Sequence, residues 1–77
     1  MITSIYLYST SHCHLCELAH ALAFQLSKEY NLKVIEIADD EYLLARYSLK
    51  IPVLQRQDTL EELNWPFDEV KIKDFLR

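Results

Sequence analysis

Residues 2–16, ITSIYLYSTSHCHLC, place an apolar stretch, a polar turn and a pair of cysteines in immediate succession. The β-branched and aromatic residues from Ile2 to Tyr8 predict a strand. The hydroxyl side chains of residues 9–11 are typical of positions that end a strand and cap a helix, because they accept hydrogen bonds from unpaired backbone amides. The sequence therefore predicts that Cys13 and Cys16 lie at the start of a helix.

Apolar residues then recur at spacings of three and four, which predicts a helix from about Cys13 to Glu29. The apolar stripe consists of Leu15, Leu18, Ala19, Leu22, Ala23, Leu26 and Tyr30. The chain contains no glycine, so we expect Asn31 to adopt the left-handed conformation that commonly ends a helix.

The remaining segments predict short elements of both kinds. Leu32–Ile37 is typical of a strand, and residues 38–40 offer caps for a short helix over Glu41–Tyr47. Ile51–Gln55 and Leu60–Leu63 flank a polar turn and predict a hairpin.

Asp68 is positioned to cap a final helix, whose apolar residues are Val70, Ile72, Phe75 and Leu76. The full order is a βαβ unit followed by a ββα unit, which predicts a four-stranded mixed sheet flanked by helices. We therefore expect residues 1–77 to form a single α/β domain.

Composition narrows the classes of function. The net charge is −4 and the eight basic residues are scattered, which argues against nucleic-acid binding. No stretch approaches the roughly 18 apolar residues that span a bilayer, and we expect no secretory signal, since no positively charged segment followed by an apolar run opens residues 1–77. We expect a monomer in the cytoplasm. In that compartment paired cysteines are more often catalytic or metal-binding than structural.

The spacing of Cys13 and Cys16 suits disulfide exchange. In a helix their Cα atoms would lie about 5 to 6 Å apart, within the range of a disulfide. The helix N-terminus favours a thiolate, so Cys13 is the predicted nucleophile and Cys16, one turn deeper, the resolving thiol. Two alternatives stay open: the thiols pack as small apolar side chains, or they bind a metal or, in a dimer, an iron-sulfur cluster.

Three histidines lie in the same segment. If protonated, His12 and His14 would favour the thiolate between them, although we favour the simpler interpretation that both are exposed residues at a helix start. His20 lies further along the helix, and the sequence assigns it no role.

The strand, the CHLC sequence at a helix start and IPVL at residues 51–54 together resemble a glutaredoxin-type member of the thioredoxin superfamily. The chain is especially similar to small bacterial glutaredoxin-like proteins with a YxTxxCHLC-type opening and a WPF element, here YSTSHCHLC and residues 65–67. The resemblance covers essentially the whole chain. It implies a thiol-disulfide oxidoreductase that reduces protein disulfides or glutathione mixed disulfides, with no bound cofactor and with glutathione as a candidate co-substrate.

The resemblance also implies a substrate-binding site. In that family the proline matching Pro52 is cis and faces the cysteines, and the backbone of the preceding residue, here Ile51, pairs with the substrate. An Ile-Pro pair by itself also permits an ordinary trans proline at the start of an edge strand. Together with Lys50 and His14, these residues form the predicted substrate-binding set.

Two departures from the family pattern weaken the case for glutathione. Lys50 stands where glutathione-dependent members carry threonine, and Asn64, Trp65, Pro66 and Phe67 replace a Gly-Gly stretch before Asp68. Lys50 could still meet a carboxylate, and the start of the last helix could still accept an anion. For Trp65 and Phe67 we expect simple core packing. A thioredoxin-fold adaptor with idle thiols is a further alternative to the enzyme.

Overall fold

A computed structural model describes residues 3–77 and folds them into four strands and three helices. The strands are β1 (Ser4–Ser9), β2 (Asn31–Glu36), β3 (Val53–Arg56) and β4 (Glu62–Asn64). The helices are α1 (His14–Leu26), α2 (Glu41–Tyr47) and α3 (Glu69–Phe75). None of the helices within residues 3–77 is long and apolar enough to cross a membrane.

The strands form one mixed sheet with the order β2-β1-β3-β4. β1 and β2 are parallel, with Ser4 opposite Asn31 and Ser9 opposite Glu36. β3 runs antiparallel to β1, and β4 antiparallel to β3. The predicted α/β architecture, a βαβ unit followed by a ββα unit around a four-stranded mixed sheet, is confirmed.

The two faces of the sheet carry separate apolar cores, since successive side chains of a strand point in opposite directions. On one face, Ile5 and Leu7 of β1 pack with Ile72 of α3 and with the buried alanines of α1. On the other face, Tyr8 packs with Tyr47 of α2. Helices α1 and α3 therefore cover one face, and α2 covers the other.

Helix α1 ends at Leu26, three residues before the predicted end. The backbone amide of Ser27 donates to the carbonyl oxygen of Ala23 at 2.9 Å, and the Ser27 hydroxyl donates to the same oxygen. The prediction that Asn31 closes the helix is wrong. Asn31 is the first residue of β2, where its amide donates to the carbonyl of Thr3 at 2.9 Å, so sheet pairing determines its conformation.

The apolar stripe of α1 is only partly buried. The buried positions are Cys16, Ala19 and Ala23, whose spacing of three and four defines the side that faces the sheet. Leu15 and Leu18 flank that side, and each leaves 45% of its surface exposed. The apolar stripe is therefore wider than the side of α1 that is buried against the sheet.

Strand boundaries differ from the predicted ones by one to two residues, for reasons of pairing. β3 extends to Arg56 because that residue lies opposite Ile5 of β1. The last strand begins at Glu62 because Leu60 takes a left-handed conformation with φ 64°, which belongs to the turn. The predicted first strand residue, Ile2, lies outside the described residues.

Both short helices begin as predicted. The Asp40 carboxylate accepts hydrogen bonds from the amides of Tyr42 and Leu43, at 2.9 and 3.1 Å, and caps α2. The Asp68 carboxylate accepts from the amide of Lys71 at 2.9 Å and caps α3. These local signals fixed the starts of both helices correctly.

Candidate functional site

The turn between β1 and α1 is anchored by a carboxylate on the neighbouring strand. Oε1 of Glu36 accepts hydrogen bonds from the amide and the hydroxyl of Ser11, at 3.1 and 3.2 Å. Its Oε2 accepts from the amide of Ala38 at 3.0 Å. These contacts and one from the Thr10 side chain, with the Ala38 amide the largest contributor, lower the pKa of Glu36. The hydroxyls that the sequence assigned to helix capping therefore do not cap α1.

Cys13 itself caps α1. His12 precedes it with φ 59°, a left-handed conformation that costs a non-glycine residue roughly 1–2 kcal/mol. Cys13 is then extended, with φ −104° and ψ 102°, and its Sγ accepts a hydrogen bond from the amide of Cys16 at 3.2 Å. The helix start thus lies where the sequence predicts, but the sulfur takes the place of a hydroxyl.

Cys13 and Cys16 form a disulfide, and their Cα atoms are 5.2 Å apart, as the helical spacing predicts. Cys13 is half-buried, whereas only 2% of Cys16 is exposed. Across residues 3–77, no three or more histidine, cysteine or acidic side chains are grouped as a metal site would require. The arrangement offers one accessible sulfur and one shielded sulfur at the same helix end.

A cleft of about 350 Å³ opens beside the disulfide, on the β2 side of β1. Both cysteines line it, together with residues 9–12, Glu17, His20 and Val34. His20 is therefore part of the site, although the sequence assigned it no role. The available signal was its spacing from Cys16, because residues four apart on a helix share a face.

The segment Lys50–Pro52 lies on the other side of β1. The Ile51–Pro52 peptide bond is cis. Pro52 is buried, Ile51 is half-buried and Lys50 is exposed. Val53 lies opposite Tyr8, so this segment sits beside the end of β1 from which the chain turns towards the disulfide. The segment shares the edge of the sheet with the cysteines, but the residues described as lining the cleft do not include it.

His14 is not among the residues described as lining the cleft. Its side chain is 81% exposed, and its Nδ1 lies 3.7 Å from Oε2 of Glu17. His14 is thus exposed at a helix start, and a role for it in favouring the thiolate stays a prediction. Trp65 and Phe67 pack edge to face with ring centroids 5.0 Å apart, Phe67 in the core and Trp65 against it, as predicted.

Arg56 is a structural residue that the sequence did not identify. Its guanidinium donates to the carbonyl oxygens of Phe75 and Arg77 at 2.8 and 2.7 Å, and it forms two hydrogen bonds with Asp58. The Asp58 carboxylate raises the pKa of Arg56. Arg56 thus satisfies carbonyls at the end of α3, groups that a helix leaves unpaired.

Comparison with known proteins agrees with this geometry. The family model described as Glutaredoxin-like domain (DUF836) matches residues 4–77. Two structures of XcR50 from X. campestris, an X-ray structure and a solution structure, are 33% identical to this chain. The X-ray structure has a TM-score of 0.82, with 94% of this chain and 93% of that chain covered. For the solution structure the TM-score is 0.80 and the covered shares are 94% and 90%.

The solution structure of Ne2328 from Nitrosomonas europaea is 28% identical, with a TM-score of 0.73. That alignment covers 97% of this chain and 92% of Ne2328. No curated protein matches the sequence. The comparisons thus support a thioredoxin-like fold for this chain.

Proposed function

The chain belongs to the glutaredoxin-like domain family (DUF836), and on that premise we propose that it is a cytoplasmic thiol-disulfide oxidoreductase. The observation that carries the proposal is the Cys13–Cys16 disulfide at the N-terminus of α1. Cys13 is the attacking thiol and Cys16 the resolving thiol. The substrates are protein disulfides or glutathione mixed disulfides, and the exchange itself needs no bound cofactor.

The helix start supports the role of Cys13 as nucleophile. In the oxidised protein the amide of Cys16 donates to Sγ of Cys13 at 3.2 Å. After reduction the same amide can donate to a thiolate at that sulfur, and charge-assisted hydrogen bonds are stronger than neutral ones. The partial positive charge of the helix N-terminus acts in the same direction.

The exchange balances in two steps. The Cys13 thiolate attacks one sulfur of the substrate disulfide, a mixed disulfide forms, and the first substrate thiolate leaves and takes a proton from water. Cys16 then loses its proton and attacks Sγ of Cys13, which releases the second substrate thiolate and forms the Cys13–Cys16 disulfide. The substrate gains two electrons, and an external thiol, glutathione or a protein dithiol, restores the reduced pair.

We assign substrate contact to the segment Lys50–Pro52 and to His14. Ile51 and Pro52 directly precede β3 and lie beside the end of β1. An extended substrate segment that packs against them would therefore reach the cysteines. Lys50 is exposed at the same edge and can meet a substrate carboxylate. His14 stands between the two cysteines in the chain with its side chain in solvent.

A trapping experiment tests the assignment of roles. The reduced Cys16→Ser variant is mixed with bis(2-hydroxyethyl) disulfide, and intact mass and peptide mapping locate the adduct. We expect a stable mixed disulfide on Cys13, whereas the wild-type protein passes through it to the internal disulfide. The matched variant Cys13→Ser should react far more slowly, because Cys16 is almost fully buried.

Failure of Cys13 to form the adduct would contradict the proposal. Equal reactivity of Cys16 in the Cys13→Ser variant would contradict the division of roles. Absorption by an iron-sulfur cluster in freshly purified protein would favour the metal-binding alternative instead.

A further inference from the structure

All three helices begin at the same edge of the sheet. β2 is parallel to β1, and β4 has the same direction because two antiparallel steps separate it from β1. α1 follows β1, α2 follows β2 and α3 follows β4. The three helix N-termini therefore lie at the edge where Cys13 and Cys16 are placed, which we call the site edge.

The site edge is acidic. We assign an acidic residue to this edge by its place in the fold. It is the last residue of β2, the N-cap of a helix, the residue before an N-cap, or a member of the first turn of a helix. Besides Glu69, six of the twelve acidic residues of the chain are of this kind: Glu17, Glu36, Asp39, Asp40, Glu41 and Asp68. Glu69 also lies at this edge, but its Oε1 is 2.9 Å from Nζ of Lys73, so we do not count its charge.

Most of the basic residues lie elsewhere. All eight belong to residues 3–77, and two of them are placed at the site edge by the same criterion: Lys50, just before β3, and Lys71, in the first turn of α3. Arg56 and Arg77 line a second cleft together with Phe75, at the C-terminal end of α3. Arg46 is held by Glu62, with 3.9 Å between Nη2 and Oε2.

Helix dipoles do not cancel this charge. Each helix N-terminus contributes roughly half a positive charge, so three of them together with Lys50 and Lys71 leave a net charge of roughly −2 to −3 at the site edge. Hydrogen bonds from the Ala38 amide and the Thr10 and Ser11 groups keep Glu36 ionised. Glu17 lines the cleft that holds the disulfide, so part of the negative charge is inside the site.

We propose that the site edge selects disulfides by charge, favouring cationic disulfides, those flanked by lysine or arginine, over anionic ones such as glutathione disulfide. This inference rests on the proposed function and narrows its substrate class. A negative potential raises the local concentration of cations and lowers that of anions, and its effect on association falls with ionic strength. The exchange steps are those given above, with the two thiolates of the cationic disulfide as leaving groups.

Three small disulfides of different charge test the inference: dicationic cystamine, neutral bis(2-hydroxyethyl) disulfide and dianionic glutathione disulfide. The rate at which each oxidises the reduced protein is measured at about pH 8. Each rate is divided by the rate of the same probe with 2-mercaptoethanol, which removes differences in intrinsic reactivity. The normalised ratio of cystamine to glutathione disulfide is the readout.

We expect a ratio of about tenfold or more at about 10 mM ionic strength, with the neutral probe between the two. At about 1 M salt, where the Debye length is only about 3 Å, the ratio should approach one. Normalised rates that are equal at low salt, or faster for the anion, would overturn the inference. A protein that reacts with none of the three probes would overturn the proposed function, and the inference with it.

A pair of charge variants locates the effect. The triple variant Glu17→Gln, Asp39→Asn, Glu41→Gln removes three charges from the site edge and leaves the helix caps in place. The control Glu29→Gln, Glu61→Gln, Asp74→Asn removes three charges from the other end of the molecule. The ratio at low salt should fall several-fold in the first variant and stay within twofold of wild type in the control. An equal fall in both would show a net-charge effect and overturn the assignment to the site edge.

Discussion

Alkaline titration of Tyr8 should weaken the fold over a defined pH range. Tyr8 ends up beneath α2 with only 7% of its surface exposed, and its ring stacks on that of Tyr47 with centroids 4.2 Å apart. Its hydroxyl donates to Oε1 of Gln55 at 2.7 Å. Burial, and next the neighbouring Tyr47 hydroxyl, raise the pKa of Tyr8 to about 12.

The direction and the size of the change in unfolding free energy follow from the linkage between folding and the titration of Tyr8. The pKa of tyrosine in an unfolded chain is about 10. Tyr8 therefore binds its proton more tightly in the folded protein than in the unfolded chain. The resulting contribution to the free energy of unfolding is complete below pH 10 and is lost as pH rises through about 12. A shift of about two units corresponds to roughly 2–3 kcal/mol.

Urea unfolding of the oxidised protein between about pH 8 and pH 12, for wild type and Tyr8→Phe, measures this contribution. The variant does not leave Gln55 without a partner, because its Oε1 also accepts from Nε2 of Gln57 at 3.2 Å. The advantage of wild type over the variant should shrink by roughly 2–3 kcal/mol across that range. Parallel stability curves for the two proteins would refute the reasoning.

Three further outcomes are expected. Ile72 is fully buried, so Ile72→Ala should lower the free energy of unfolding by about 2–5 kcal/mol. Val70 lies on the same helix with 73% of its surface exposed, so Val70→Ala should change that free energy by less than about 0.5 kcal/mol. Equal urea midpoints for the two variants would contradict this prediction. Asp68→Ala should remove the cap of α3 and lower the free energy of unfolding by about 1 kcal/mol, which corresponds to a Tm decrease of roughly 4–8 °C. Asp68→Asn keeps a capping oxygen, so its Tm should stay near that of wild type. A similar decrease in both variants would exclude capping as the cause. The pKa of Glu36 is lowered chiefly by the hydrogen bond from the Ala38 amide. The contribution of Glu36 to the stability of the fold should therefore be present above about pH 4 and be lost as pH falls through the lowered pKa. An acid unfolding transition that is unchanged in Glu36→Gln would contradict this contribution.

Local chemical signals allowed much of the fold to be predicted. Asp40 and Asp68 mark helix starts because a carboxylate can cap a helix within three residues of itself. The spacing of Cys13 and Cys16 predicted their Cα separation because positions three apart at a helix start lie about one turn from each other.

Tertiary contacts account for what the sequence did not reveal. Asn31 has the residue type of a helix terminator, yet pairing with β1 makes it part of a strand. Glu36 lies 25 positions from Ser11, and only the parallel pairing of β1 and β2 brings the two together. Leu15 has the periodicity of a core residue, but the rotation of α1 on the sheet leaves it half-exposed.

The redox equilibrium of Cys13 and Cys16 tests the central claim most directly. Wild-type protein is equilibrated in glutathione buffers of stepped potential, thiols are alkylated, and intact mass gives the fraction of the dithiol form. A thiol-disulfide oxidoreductase predicts one two-electron transition in the range of roughly −270 to −180 mV, which disappears in Cys13→Ser. Thiols that stay reduced across the whole range would contradict the claim and leave a metal-binding or adaptor role in its place.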